Sequence, residues 1–244
     1  MNTSAFLLAA GRGERMRPLT DITPKPLLSV RGKPLIDWIL ARLVGARVEE
    51  VWINTAWLGE QIETQITGEA PIGGQGPLRV HWSREGVDFG HALETAGGIA
   101  RALPELPDVF WVSAADVWAP DFQFPSECVQ QFRLSQALAH IWLVPNPDHN
   151  PGGDFGLDEQ GLVHDGQNGG ARLTYSTIGL FRKALFQAPW LELPGGNPEG
   201  VRAALGPLLK KAAGRGRVTG AIYTGEWVDV GTPERLLSLN ESDA

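Results

Sequence analysis

Four short β-rich runs, Ala5–Ala10, Val51–Asn54, Leu78–Trp82 and Val109–Ala114, alternate with segments whose apolar residues recur at helical spacing. This alternation constrains the fold more than any other feature. The clearest helical segment runs from Pro34 to about Val44, where Leu35, Ile36, Ile39, Leu40, Leu43 and Val44 fall on one face and Gly45 offers a stop. A second starts near Trp57 and carries Leu58, Ile62 and Ile66; a third begins near Thr95 and runs through Ile99 towards Leu103. Connections of this strand–helix–strand kind build an α/β, three-layer, Rossmann-like architecture with a mostly parallel central sheet, and ligands gather beyond the carboxyl ends of its strands. The second half is less regular. There Ala137–Val144, Arg172–Phe181 and Val218–Val230 read as further strands, which make the sheet mixed. No linker or internal repeat is evident, and the residues after Thr232 leave room for one short helix, so residues 1–244 are expected to form a single domain.

Charge narrows the function classes. Lys and Arg number 21 against 28 Asp and Glu, a net charge of -7, which argues against a broad electrostatic surface for nucleic acid or anionic membrane. The segment Met1–Ala10 has no basic region and only a short apolar run, so it reads as a strand rather than a secretory signal or a membrane span. Cys128 has no second cysteine to pair with and reads as a packed helix side chain, and a cytoplasmic location is expected. His81, His91, His140, His149 and His164 lack zinc-ligand spacing.

Against this acidic background one connection stands out. Gly11–Pro34 reads GRGERMRPLTDITPKPLLSVRGKP, far longer than the usual few residues between a strand and a helix. Pro18, Pro24, Pro26 and Pro34 exclude a continuous helix, while Gly11 and Gly13 permit close backbone approach to a ligand. The segment holds Arg12, Arg15, Arg17, Lys25, Arg31 and Lys33 against Glu14 and Asp21, a composition suited to a polyphosphate. Glycines after a strand also make simple turns, and basic side chains are commonly solvated. Met16 occupies the third glycine position of a dinucleotide-binding GxGxxG, and no GK[ST] follows, so both better-known phosphate loops are set aside.

Leu8-Ala9-Ala10-Gly11-Arg12-Gly13-Glu14-Arg15-Met16-Arg17-Pro18-Leu19-Thr20, followed by Thr23-Pro24-Lys25-Pro26-Leu27, resembles the signature of the sugar-phosphate nucleotidyltransferases. The resemblance continues with interruptions over essentially the whole chain. It implies an enzyme that joins a nucleoside triphosphate to a sugar 1-phosphate and releases pyrophosphate. Arg15 would hold the triphosphate, Lys25 would stand near the α-phosphate and the incoming sugar phosphate, and Ala10, Gly11 and Gly13 would line the nucleotide. Across ERMRPLTDITPKPL, INTAWLGEQI, LETAGGI, GDFGL and EWVDVGTPERL the likeness is to members that uridylylate N-acetylmuramic acid 1-phosphate, which implies UTP as donor and a place in cell-wall recycling. Mannose 1-phosphate guanylyl transfer, glucose 1-phosphate thymidylyl transfer and transfer to phosphocholine remain alternatives within the enzymes. A catalytically silent sensor of nucleotide or sugar phosphate is the alternative outside them, and retention of Arg15, Lys25, Asp116 and Asp229 together favours the enzyme.

Asp116 ends the hydrophobic run DVFWVSAAD, and Asp229 stands in EWVDVGTPER. Two carboxylates at separate strand ends can share one Mg²⁺, which takes oxygen ligands and bridges substrate phosphates, although such aspartates also serve as turn or helix caps. Similarity to the family's metal aspartates assigns both to the cation, with Asp116 also among the catalytic groups. Ala115 departs from the glycine that commonly precedes the first of them, and Asp116-Val117-Trp118 lacks the second aspartate of a glycosyltransferase DxD motif. Leu93-Glu94-Thr95-Ala96-Gly97-Gly98 looks like the family's base-binding turn, which implies nucleotide contacts for Thr95 and Gly97; Glu85 matches a polar position that contacts the base, and Thr95 is equally a good helix cap. Asn54, Asp154, Phe155, Gly156, Thr177 and Gly179 fall where the family places parts of the sugar side, and Arg172 is a candidate for an acidic substituent on that sugar.

Overall fold

Ser4–Leu8 pairs in parallel with Glu50–Thr55, in register from Ser4 opposite Glu50 to Leu8 opposite Asn54, and Glu50–Thr55 pairs in parallel with Arg79–Arg84. In this computed structural model, which describes residues 3–66, 78–166 and 171–241, these strands start a mixed sheet flanked by helices, as the alternating pattern predicts. The chain divides into two compact units, and neither is a continuous stretch. The first comprises Met1–Glu94, Ser113–Phe124 and Gly225–Ala244; the second comprises Thr95–Val112 and Pro125–Thr224.

In the first unit, Leu35–Gly45 buries Leu35, Ile36, Ile39, Leu40, Leu43 and Val44, the face its spacing predicts. Its end differs from the expectation of a stop at Gly45. Gly45 is still helical, and the reversal falls at Arg47, whose φ is 59°. Arg47 N–H donates to Val44 O at 2.9 Å and Val48 N–H to Leu43 O at 3.0 Å, the paired bonds of a Schellman ending with arginine at the left-handed position. The segment near Trp57 becomes a helix only from Gly59 to Gln65, because Leu58 enters it at φ 49°. Arg79–Arg84 runs directly into a short helix, Glu85–Phe89.

The long connection after the first strand is folded throughout. It holds 3-10 turns at Glu14–Met16 and Lys25–Leu27, a one-turn helix at Leu19–Ile22, and a hairpin of Ser29–Val30 with Lys33–Pro34. Met16, Leu28, Val30 and Leu35 form a buried cluster with Trp118, Val230 and Leu239, so this segment is tied to the carboxyl-terminal helix Pro233–Glu241 by apolar packing.

In the second unit, Arg172–Arg182 is antiparallel to Val109–Val112 of the strand Val109–Ala114, to Ala139–Val144 and to Phe155–Leu157, while Val218–Ile222 is parallel to Ala139–Val144. The helix near Thr95 spans Glu94–Ala102, and Thr95 lies inside its first turn rather than at its cap. The strand expected over Val218–Val230 is two pieces. Val228–Asp229 leaves the first piece and pairs with Val117–Trp118, placing Asp229 opposite Val117 within the first unit.

Candidate active site

Leu8 ends the first strand, and the residues that follow wall a cavity of about 240 Å³ in the first unit. Gly11, Gly13, Arg15 and Lys25 line it from the long connection, with Asp116 and Gly231. The glycines have different reasons. Gly13 has φ 68°, and a Cβ there would stand 2.9 Å from Thr20 Cγ2, whereas a Cβ on Gly11 would meet nothing within 4 Å, which leaves that face to a ligand. Thr20 Oγ1 donates to Gly13 O at 2.8 Å and fixes the turn.

The six cations of the connection separate by what they touch. Arg12 donates to Thr20 O at 2.8 Å and to Asp21 Oδ1 at 2.7 Å, with its guanidinium 3.8 Å over the Trp57 ring. Its hydrogen bond holds the Asp21 carboxyl below the usual carboxylate range. Arg17 also pairs with Asp21, Arg31 stacks over Trp118 and Lys33 over Trp38. Arg15 and Lys25 remain at the cavity. Arg15 is exposed and makes no hydrogen bond or ion pair with another described residue. Lys25 is 7% exposed.

Lys25 Nζ donates to Asp116 Oδ2 at 2.6 Å and stands 3.8 Å from Asp229 Oδ1. The pairing of Val117–Trp118 with Val228–Asp229, closed by Val230 N–H on Asp116 O at 3.2 Å, brings the two aspartates to one ammonium. Arg235 Nη1 donates to both Asp229 O at 2.7 Å and Asp229 Oδ2 at 2.9 Å. Gly231 makes room for this convergence: a Cβ there would lie 3.0 Å from Asp229 Oδ2, 3.1 Å from Arg235 Nη1 and 3.2 Å from Arg15 Nη2. Asp116 on the cavity wall and Asp229 on the same ammonium supply hard oxygen donors of the kind a divalent cation needs when phosphates and water complete its shell. Arg235 and Gly231 went unassigned in the sequence, although both stand in VDVGTPER; the charged residue six positions after an assigned aspartate was the available signal. Ala115 is fully buried and donates its N–H to Leu8 O at 3.0 Å, so its methyl is accommodated in packing and does not line the cavity.

Asn54 and Glu85 lie behind the strand ends. Ala9 N–H donates to Asn54 Oδ1 at 2.8 Å, Asn54 Nδ2 to Glu85 Oε1 at 2.8 Å, and Leu93 N–H to Glu85 Oε2 at 2.7 Å. Asn54 is 3% exposed and Glu85 0%, so both hold backbone in place, and Ala10, next in sequence to Ala9, is 5% exposed. In the second unit, Ala96 and Gly97 N–H both donate to Ala203 O, and Asn197 Nδ2 donates to Gly97 O at 3.1 Å. Asp154 accepts Tyr175 N–H at 2.8 Å and Asn150 Nδ2 at 3.2 Å. Gly156 is packed under His164, whose ring leaves no room for a Cβ. Thr177 sits at the register shift of Arg172–Arg182 with φ 64°. Arg172 Nη2 donates to Asp154 O at 2.8 Å. Cys128 is half-buried on Ser126–Leu134, and burial pushes its thiol pKa up, in keeping with a packed side chain. Among the described residues no group of three His, Cys, Asp or Glu forms a metal cluster, and no helix is long and apolar enough to cross a membrane.

Known proteins resemble this chain in sequence and in fold. Residues 4–168 match the nucleotidyl transferase family. The chain is 45% identical over 95% of its length, and 94% of the relative's, to the N-acetylmuramate alpha-1-phosphate uridylyltransferase of Neisseria meningitidis serogroup B. It is 33% identical over 96% of its length, and 94% of the relative's, to the protein of the same description in Caulobacter vibrioides. In fold it is similar to a Bacillus anthracis protein solved in complex with a sucrose, with a TM-score of 0.75 at 18% identity, covering 98% of this chain and 94% of that one.

Proposed function

Since the chain belongs to the nucleotidyl transferase family, we propose that it transfers UMP from UTP to N-acetylmuramic acid 1-phosphate, releasing pyrophosphate and forming a nucleotide-activated sugar. Its two uridylyltransferase relatives, alike over nearly their full lengths, support this choice of donor and acceptor. The observation that carries the chemistry is the Lys25 ammonium set against Asp116 and Asp229, with Arg15, unpaired among the described residues, on the wall of the same glycine-lined cavity. We assign residues 1–244 to one nucleotidyltransferase domain, since neither compact unit is continuous in sequence. A cytoplasmic enzyme of cell-wall recycling is the setting that fits, with no role in binding nucleic acid or membrane.

The reaction needs no enzyme nucleophile. An oxygen of the sugar phosphate, already ionised at neutral pH, attacks the α-phosphorus in line; one P–O bond forms as the bond to the leaving pyrophosphate breaks. Positioning and charge stabilisation therefore dominate over proton transfer. Lys25 serves the α-phosphate and the incoming phosphate, and Arg15 serves the triphosphate and the departing pyrophosphate. Asp116 and Asp229 would hold Mg²⁺, which when bound supplies Lewis-acid charge neutralisation across the phosphates. Ala10, Gly11 and Gly13 line the nucleotide, while Asn54 and Glu85 support that wall from behind. Thr95 and Gly97 are assigned to the nucleotide, and Asp154, Gly156 and Thr177 to the sugar.

The test offers UTP, GTP, CTP and dTTP in turn with the 1-phosphates of N-acetylmuramic acid, N-acetylglucosamine, glucose and mannose, and compares kcat/KM by pyrophosphate release. UTP with N-acetylmuramic acid 1-phosphate is expected to be the best pair. A better guanylyl or thymidylyl pair refutes the substrate assignment, and no turnover with any pair points to a silent sensor.

A further inference from the structure

Arg235 stands in the first turn of Pro233–Glu241, where the helix dipole disfavours a cation. It is placed there all the same, with a single nitrogen bound to both the carbonyl and the carboxylate of Asp229, and the two side chains are 20% and 22% exposed. Lys25 stands to Asp116 as Arg235 stands to Asp229, and its own side chain is 9% exposed. Each aspartate thus has a cation of its own from within the protein. Arg15 adds a third beside Gly231. The other acid on the cavity wall, Glu14, is 67% exposed and lies 3.9 Å from Arg12 and 3.8 Å from Arg17.

The sign of this balance matters. Outer partners of a metal ligand commonly orient it and strengthen metal binding. Here the outer partner is itself cationic, and at separations of a few ångströms its repulsion of a second cation is large. Resting on the assignment of Asp116 and Asp229 to the metal, we propose that Arg235 and Lys25 are the internal counter-ions of that pair. They make the protein alone a poor site for a divalent cation and reserve the two aspartates for one that arrives with a polyphosphate, whose negative charge reverses the local excess. Arg235 is then a positioning residue that tunes Asp229 through charge as well as orientation.

Mn²⁺ is the probe, titrated into the full-length protein with loss of its free paramagnetic signal as the readout. The wild-type protein alone is expected to bind no tighter than on the order of millimolar, and Arg235→Met to bind about tenfold tighter, because a repelling charge next to the site is gone. Adding Asp116→Asn to Arg235→Met should abolish the gain, which locates it. Circular dichroism checks folding of each variant; Arg235→Gln and Lys25→Met carry the same expectation if Arg235→Met does not fold. Micromolar Mn²⁺ binding by the wild-type protein alone, or variants that bind no tighter, overturns the proposal. Repeating the titration with UTP, with the Mn²⁺ and UTP retained by the protein counted after ultrafiltration because UTP alone also binds Mn²⁺, separates this from the reading beneath it: a protein that retains neither even then refutes the nucleotidyl transfer site itself.

Discussion

Arg15 and Lys25 belong to one basic segment, yet they depend on their surroundings in opposite ways. Arg15 is exposed and unpaired among the described residues, so Arg15→Ala should leave stability within about 0.5 kcal/mol of wild type. Lys25 is buried against two carboxylates, but Asp116 and Asp229 are 33% and 22% exposed, so water can reach them when the ammonium is removed. Lys25→Ala should therefore fold as well. Both variants should lose roughly 10²- to 10³-fold in kcat, the cost of removing a charge partner from the transition state. Near-wild-type pyrophosphate release from either one removes that residue from the mechanism. The sequence singled out these two among six cations only through family resemblance, because charge and spacing do not distinguish them. What distinguishes them is which neighbours engage the other four: Asp21 for Arg12 and Arg17, Trp118 for Arg31, Trp38 for Lys33. Such partners are set by tertiary packing and leave little trace in a local pattern.

Regular elements were legible where a local period decides them. Leu35–Gly45 follows its apolar spacing residue for residue, and Val109–Ala114 has the bounds its composition suggests. Ends were less legible, since they depend on partners. Val218–Ile222 stops one residue short of the end of its neighbour Ala139–Val144, with Ile222 opposite Leu143 and Tyr223 N–H on Leu143 O at 2.8 Å, although the β-rich composition continues to Val230. That break frees Val228–Asp229 for the short pairing that assembles the two aspartates. The end of Leu35–Gly45 yields a prediction of its own. Arg47 holds φ 59° in a Schellman ending that glycine adopts without a Cβ penalty, and a positive φ is unfavourable for any other side chain. Arg47→Gly should raise stability by about 0.5 kcal/mol, the residual gain after the greater chain entropy of glycine in the unfolded state is offset. Calorimetric melting decides it: a lower melting temperature would mean that the arginine side chain contributes more than the strained backbone costs.

At the scale of the molecule, the region matching the family ends at residue 168, whereas Asp229 and Arg235 lie far beyond it. The two compact units explain why that later segment matters. Gly225–Ala244 returns to the first unit after the whole of Pro125–Thr224 has been assigned to the second, an interleaving that no local sequence signal reveals. Its packing contribution is direct. Val230 and Leu239, 0% and 6% exposed, complete the cluster that buries Met16, Val30 and Trp118, with Trp38 packed against it at 6.1 Å from the Trp118 ring. Val228–Asp229 is also the pairing partner of Val117–Trp118, the strand that follows Asp116. A chain ending after Thr224 would expose the apolar side of that cluster, and each large side chain uncovered forfeits about 1.5–3 kcal/mol. With several such residues affected, the sum is comparable to the whole stability of a domain. The truncated chain should therefore lose ordered packing around Trp38 and Trp118, read as a collapse of their near-ultraviolet circular dichroism, together with all nucleotidyl transfer. If the signal persists and only turnover is lost, the segment contributes Asp229 and Arg235 but not the core; if turnover persists as well, the pair of aspartates is not the site of the chemistry.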